Sequence, residues 1–152
     1  MISKYISYKE ATKSQTSTRL GIDNKPTEDH LAAMKHVASE VFDKVRAHFG
    51  VPLGVSSFYR GPELNKAIGG SKTSQHMKGE AIDIDADMYG GVTNKEIFDY
   101  IRENLTVDQM IWEFGTDDDP AWVHVSLRRD GKNRGQILKA YKENGKTKYK
   151  EI

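Results

Sequence analysis

The chain of 152 residues is long enough for one compact domain and too short for two ordinary ones. Basic residues outnumber acidic ones by only 23 to 22, so no dominant charge indicates nucleic acid as a partner. The absence of cysteine excludes disulfide scaffolds and thiolate zinc fingers, and leaves histidine, aspartate and glutamate as the strong zinc ligands.

The first part of the chain predicts an irregular arm followed by a long helix. Residues 1–26 are polar and interrupted by helix breakers, so we expect a lead-in arm belonging to a single domain over 1–152. Apolar residues recur at helical spacing over 27–49 until Gly50 and Pro52 end the run, which predicts an amphipathic helix with one buried stripe. Three histidines of this helix are expected to be solvated or to cap it: His30, His36 and His48.

Two further helices are predicted downstream. A short one is expected over 63–68, because Pro62 lacks only an N–H that the first turn of a helix leaves unbonded anyway. Thr93 and Glu96 have the spacing of a capping box and precede apolar residues at helical spacing, which predicts a helix over about 94–104.

Four predicted strands carry the polar residues of interest: 55–59, 81–85, 109–114 and 122–127. Apolar and polar residues alternate in the second and fourth of these strands, so one face of each is expected to be buried. Asp83 and His124 are therefore expected to project from the open face of one sheet. Glu113, on the third strand, can reach the same cleft.

Residues 128–152 form a basic C-terminal extension with nine Lys or Arg and three Asp or Glu. Their alternation on either side of Asn144-Gly145 predicts a terminal hairpin with strands at 136–141 and 147–149. A solvated hairpin face is favoured over attraction to an anionic wall polymer, a lipid surface or nucleic acid.

The most informative motif is SQHMKGEAID at residues 74–83, which has the pattern SxHxxGxAxD. With the distant His124, His76 and Asp83 make three protein ligands, the number that a catalytic zinc needs to keep a fourth position open for water. Gly79 permits the tight turn that returns His76 over the strand of Asp83, and Ala81 leaves space beside the metal. One Zn²⁺ per chain and a hydrolytic function are therefore predicted.

The aspartates after this motif are not expected to bind a metal. The run Asp83, Asp85 and Asp87 lacks the glycine and glutamate that an EF-hand calcium loop requires at its sixth and twelfth positions. Asp85 is interpreted as a hydrogen-bond acceptor behind the metal ligands, and Asp87 as solvated.

The chain resembles the zinc D-Ala-D-Ala carboxypeptidase family, which includes phage endolysins and vancomycin-resistance D,D-dipeptidases and shares its zinc core with the Hedgehog signalling domain. The resemblance runs from about Pro26 to Leu127 through SSFYR (56–60), LN (64–65), IGGS (68–71), SxHxxGxAxD, IWE (111–113) and WVH (122–124). It implies that His76, Asp83 and His124 bind zinc. It also implies a small α+β domain in which an antiparallel sheet carries the zinc site and packs against helices.

One residue departs from the pattern of this family. In several relatives the general base stands three residues before the last histidine, where this chain has Ala121. Hydrolysis of an amide still requires a carboxylate that takes a proton from water and passes it to the leaving amine. Glu113 is the candidate for this role, and Asp119 is the alternative.

Arg60 is the predicted electrostatic partner of the substrate. The resemblance gives the arginine of Ser-x-Tyr-Arg contact with a substrate carboxylate or with the developing oxyanion. The alternative is a surface arginine paired with Glu63 or Asp85. Three weaker candidates for substrate contact or support of His76 are Ser74, Gln75 and Trp122.

These patterns predict a monomeric zinc metallopeptidase that cleaves peptidoglycan stem peptides or cross-links. It would act as a D-Ala-D-Ala carboxypeptidase or as an endolysin-type endopeptidase. The main alternative is a Hedgehog-like zinc module that binds a partner without catalysis, and DNA binding ranks third. The start of the chain lacks a Sec-type signal and no stretch suits membrane insertion, so synthesis in the cytoplasm and action on the wall after phage-mediated release are expected.

Overall fold

A six-stranded sheet carries half of the residues predicted to form the site, among them Asp83, Glu113 and His124. The computed structural model describes residues 1–152, and the strands are β1 (Gly54–Ser57), β2 (Ala81–Asp85), β3 (Gln109–Glu113), β4 (Trp122–Ser126), β5 (Gln136–Glu143) and β6 (Lys146–Glu151). Their order in the sheet is β1-β2-β4-β3-β5-β6. The predicted α+β architecture, a sheet packed with helices, is confirmed.

The sheet is mixed, whereas an antiparallel sheet was expected. β3 and β5 run parallel, and every other neighbouring pair is antiparallel. The end of β4 and the start of β5 lie at the same end of the sheet, since Ser126 and Gln136 both pair with Gln109. The connection over 127–135 therefore crosses the sheet at the end where β3 begins. β5 then runs in the same direction as β3.

Six α-helices complete the domain: α1 (Tyr8–Thr12), α2 (Gln15–Leu20), α3 (Glu28–Val37), α4 (Asp43–Phe49), α5 (Pro62–Ala67) and α6 (Asn94–Asn104). The helix predicted over 27–49 is interrupted by a π-helical turn, Ala38–Phe42. The Ser39 hydroxyl donates to the carbonyl oxygens of Lys35 and His36 and so competes for main-chain acceptors at this turn. The capping box of Thr93 and Glu96 at the start of α6 is present as predicted.

The expectation of an irregular arm over residues 1–26 is corrected by the structure. Two short helices form there, α1 and α2, and Ile2, Ile6 and Ala11 are buried in the main core. Apolar residues spaced this widely give no periodic pattern, so the sequence alone did not reveal that they pack on the core. The segment is an integral part of the domain.

The two faces of the sheet differ as the alternation predicted. Ile82, Ile84, Val123 and Val125 are fully buried in the main core, together with helix residues such as Met34 and Phe98. Asp83 and His124 point to the opposite face. The helices thus hold the sheet from behind and leave its polar face open.

The C-terminal hairpin of β5 and β6 is also present. Asn144 and Gly145 both have positive φ angles, 53° and 76°, as a two-residue turn between twisted antiparallel strands requires. None of the helices is long and apolar enough to cross a membrane.

Candidate active site

His76, Asp83 and His124 converge at the centre of the open face. Asp83 Oδ1 lies 2.9 Å from His124 Nδ1 and 3.2 Å from His76 Nε2. One potential ligand atom from each side chain lies within 4.8 Å of the other two. Metal–ligand bonds of about 2.0–2.1 Å at tetrahedral angles separate donor atoms by roughly 3.3 Å, so this spacing suits one zinc ion.

The fold brings these side chains together in two ways. Asp83 and His124 are direct partners in the antiparallel pair of β2 and β4, so their side chains lie on the same face. His76 lies on a 3₁₀ turn, Gln75–Lys78, which ends at Gly79 with a φ of 74°. A Cβ at Gly79 would lie 2.6 Å from the carbonyl oxygen of His30, so both the turn and the close packing on α3 require glycine.

His76 is oriented by the main chain of the segment after β1. Its Nδ1 donates to the carbonyl oxygen of Phe58 over 2.6 Å, which places the proton on Nδ1 and leaves the Nε2 lone pair facing Asp83. A hydrogen bond of this kind normally supports a metal-bound imidazole. A lone pair and a carboxylate oxygen at this distance repel each other unless a cation lies near both, so the donor set fits a metal ion.

Burial and neighbouring side chains shift the pKa values of Asp83 and His76. Desolvation opposes ionisation of Asp83, but the two histidines hold the pKa of its carboxyl well below its usual range. Burial lowers the pKa of His76, and the neighbouring Asp83 opposes this effect. The structure therefore favours an ionised Asp83 carboxylate, the form that binds a metal.

Glu113 lies in the same cleft, at the end of β3. It pairs with Trp122 on β4, and the next pair on that face of the two strands is Ile111 with His124. Only 8% of Glu113 is exposed. Burial raises the pKa of its carboxyl to about 7, with His124 and Arg60 opposing this rise and Asp83 adding to it. A carboxyl with such a pKa is suited to exchange protons near neutral pH.

Asp119, the alternative base, lies elsewhere. Its Oδ1 accepts the main-chain N–H of Lys95 over 2.8 Å at the start of α6. It does not line the cleft that contains His124 and Glu113. The geometry therefore favours Glu113 over Asp119.

Arg60 lines the cleft and has no carboxylate partner. Its Nη2 donates to Ser74 Oγ over 3.3 Å, and its main-chain N–H donates to the carbonyl oxygen of His76. The Nε atom is buried without a hydrogen bond. Ion pairs with Glu63 or Asp85, the alternative considered for this arginine, do not form. Its guanidinium thus lines the same cleft as His76, Asp83 and His124, and its Nε donor remains unused.

The three weaker candidates line the same cleft. Ser74 Oγ accepts hydrogen bonds from Arg60 and from the main-chain N–H of His76. It therefore connects the Arg60 side chain to the turn that contains His76. Gln75 Nε2 donates to Asp108 Oδ2 over 3.0 Å. The ring of Trp122 packs at 5.7 Å from that of Phe114.

The remaining residues discussed from the sequence lie outside the cleft. His30 caps α3 by accepting the N–H of Thr27, and the ring of His48 stacks on Tyr100. Asp85 accepts hydrogen bonds from Asn94 and from the exposed Asp87, so it supports the start of α6 and not the metal ligands directly.

Several cleft residues had no signal in the sequence pattern. Asp108 precedes β3, Arg134 lies in the 127–135 connection, and Tyr149 lies on β6 two strands away from Glu113. They line a cleft of about 930 Å³ together with His76, Asp83 and His124. Only the strand order brings them to the site, so no local motif could have identified them.

Asn24, another residue without a motif, supports the main chain next to Arg60. The Asn24 amide donates to the carbonyl oxygens of Thr12 and Tyr59, both over 3.0 Å, and its Oδ1 accepts the N–H of Gly61 over 2.7 Å. These bonds fix the main chain on both sides of Arg60. Asn24, from the segment expected to be an irregular arm, is thus buried and supports the main chain of the site.

The sequence model of the family described as Peptidase M15 matches residues 4–126. No curated protein matches the chain at a significant level. The matched segment includes His76, Asp83 and His124 together with Arg60 and Glu113, and it ends where the 127–135 connection begins. Since the match covers most of the sequence, and the donor set of the cleft suits a metallopeptidase, the chain belongs to the Peptidase M15 family.

Proposed function

We propose that this peptidase is a zinc enzyme that hydrolyses peptide bonds of peptidoglycan. The observation that carries the proposal is the convergence of two imidazole nitrogens on one carboxylate oxygen, at 2.9 and 3.2 Å, in an open cleft. These three side chains would hold a zinc ion, and three protein ligands are the number with which a catalytic zinc site keeps one position available to solvent or substrate.

Zinc would be held by His76, Asp83 and His124. When bound, it lowers the pKa of coordinated water to about 7 and polarises the scissile carbonyl. Glu113 would accept a proton from the attacking water and deliver it to the leaving amine. Its buried carboxyl, with a pKa raised to about 7, changes protonation state readily in this pH range.

Arg60 would stabilise negative charge on the substrate. Its guanidinium is fixed by Ser74, and its Nε has no partner in the protein. A preorganised donor of this kind is most effective where charge develops during the reaction, because no reorganisation is then needed. Arg60 and Glu113 together favour a catalytic site over a Hedgehog-like module that only binds a partner.

The lining of the cleft supports cleavage within a peptide. The cleft extends on one side of the ligands to Glu113, Trp122 and Tyr149, and on the other side to Asp108 and Arg134. An endopeptidase needs substrate residues on both sides of the cut bond, whereas a carboxypeptidase needs a closed end. The proposal is therefore an endopeptidase of stem peptides or cross-links, with D-Ala-D-Ala carboxypeptidase activity as the competing specificity.

Digestion of purified sacculi by the zinc-loaded protein tests the proposal. We expect soluble muropeptides whose masses identify the bond cut, and no release after chelation until zinc is restored. The matched control is Glu113→Gln, which should retain zinc and release almost nothing. Absence of hydrolysis by a folded, zinc-loaded protein would contradict the proposal and support a binding module.

A further inference from the structure

One end of the cleft is lined by arginines that lie outside the matched family segment. Arg128, Arg129 and Arg134 all come from the connection between β4 and β5 and line the cleft that contains the metal ligands. They lie beyond Ser126, on the side of the ligands opposite to Glu113. This end of the cleft thus combines arginines that lie beyond the matched segment with residues inside it, such as Asp108 and Gln75.

Arg134 is held in place by a buried carboxylate. Its Nε donates to Asp108 Oδ1 over 3.1 Å, and its Nη2 donates to Asp108 Oδ2 over 2.9 Å. The main-chain N–H of Arg134 also donates to Asp108 Oδ1, over 2.9 Å. Asp108 is 1% exposed, whereas half of the Arg134 side chain, 51%, remains exposed. A two-point contact of this kind orients a guanidinium and leaves its other N–H donors free.

The same carboxylate connects Arg134 to the metal-binding turn. Asp108 Oδ2 accepts from Gln75, the residue immediately before His76. The position of Arg134 relative to the metal ligands is therefore set by hydrogen bonds and not by a flexible side chain. Hydrogen bonds from Arg134 and Gln75 outweigh the effect of burial and lower the pKa of Asp108, so this anchor stays ionised.

At this end of the cleft, some basic side chains have no acidic partner. Asp108 is paired with Arg134, and Asp130 is paired with Arg128 over 2.6 Å. Arg129 forms no ion pair and is exposed. Glu80 is the remaining acid at this end, against Arg129, the exposed Lys78 and the free face of Arg134.

We propose that Arg134, fixed by Asp108 and assisted by Arg129, binds a free carboxylate of the substrate peptide. The inference rests on the proposed function and specifies its substrate class as acidic peptides. The D-glutamyl residue of a stem peptide has such a carboxylate unless it is amidated. Arginine suits this role because its planar fork matches the two oxygens of a carboxylate.

The test uses two stem peptides that differ only in whether the D-glutamyl carboxylate is free or amidated. Binding to the zinc-loaded protein is measured by calorimetry, and hydrolysis by mass spectrometry. We expect the wild type to prefer the free carboxylate by about 10- to 100-fold in kcat/KM, mainly through KM. Arg134→Gln should remove most of this preference, and Arg129→Gln should reduce it without breaking an ion pair.

The control variant is Arg102→Gln, an exposed arginine of α6 away from the cleft, which should keep the full preference. Equal affinity of the wild type for the two peptides would overturn the subsite, as would an unchanged preference in both Arg134→Gln and Arg129→Gln. Selective binding of the free carboxylate without any hydrolysis would support the subsite and contradict the proposed function instead.

Discussion

Asp83 and His124 face each other across β2 and β4, with Asp83 Oδ1 2.9 Å from His124 Nδ1 although the residues are 41 positions apart. The neighbouring residue pairs of the two strands are Ile82 with Val125 and Ile84 with Val123, and their side chains point into the core. A register shift of one residue would bury the polar pair and expose the apolar ones. The hydrophobic core therefore fixes the geometry of the metal site.

Removal of one proposed ligand should weaken zinc binding strongly without unfolding the chain. We expect Asp83→Asn and His124→Ala to weaken zinc affinity by more than about 100-fold, since loss of even a supporting hydrogen bond can cost 10- to 100-fold. Competition with a chromogenic chelator measures this affinity. His36→Ala, on α3 and outside the cleft, is the control and should bind zinc normally. Retained affinity in His124→Ala would show that a different residue completes the site.

The identity of the general base can be separated from zinc binding. Glu113→Gln should keep zinc and lower turnover by about 10²- to 10⁴-fold, the usual contribution of general acid–base catalysis. Asp119→Asn should change turnover only slightly, because Asp119 bonds to the start of α6. Single-turnover hydrolysis of a stem peptide measures both. The opposite ranking of the two variants would assign the role to Asp119.

Glu113 should also make the zinc-free protein less stable as the pH rises. Its pKa is raised from 4.5 to about 7 in the folded state, so the folded chain holds this proton more tightly than the unfolded chain. The contribution of Glu113 to the free energy of unfolding is fully present below the pKa that its carboxyl has in the unfolded chain. It is lost as the pH rises through the folded pKa, by up to about 3 kcal/mol at 1.36 kcal/mol per pKa unit.

Denaturant unfolding of the chelated protein at pH 5 and pH 8 measures this effect. Glu113→Gln cannot ionise, so the difference in stability between the two pH values should shrink by most of that amount. An equal pH dependence in the wild type and the variant would contradict the raised pKa of Glu113.

Asn24 should matter for both stability and activity. Its amide joins Thr12, Tyr59 and Gly61 through three hydrogen bonds in a buried position. Asn24→Ala leaves buried main-chain groups without partners, so we expect a loss of about 1–3 kcal/mol per unsatisfied group and a drop in kcat from displacement of Arg60. The control Asn104→Ala removes one exposed hydrogen bond and should stay within about 0.5 kcal/mol of the wild type.

Patterns of residues close in the sequence were sufficient to predict several helices, turns and strands. The capping box of Thr93 and Glu96 predicted the start of α6, and the Asn144-Gly145 turn predicted the β5–β6 hairpin. The motif from Ser74 to Asp83 predicted a turn and a strand that the structure contains. The hydrogen bonds of the capping box, the hairpin turn and the turn at His76 join residues close in the chain, so their spacing in the sequence predicts them. The strand at Ala81–Asp85 pairs with distant strands and was predicted from the alternation of its apolar and polar residues instead.

Other features of the structure could not be predicted from any local sequence pattern. The parallel pairing of β5 with β3 depends on where the 127–135 connection crosses the sheet, and the burial of Ile2 and Ile6 depends on distant partners in the core. The bonds of Asp108 to Arg134 and Gln75 join residues 26 and 33 positions apart. A single sequence contains no periodicity that marks such pairs.

The sequence by itself determined which side chains can bind a metal and which strand face presents them, because ligand chemistry and the two-residue repeat of a strand are local properties. Only the tertiary structure decided that Glu113 and not Asp119 shares the cleft, and that Asn24, Asp108 and Arg134 brace its walls. Strand order and long-range hydrogen bonds set those distances, and they follow from the packing of the whole core.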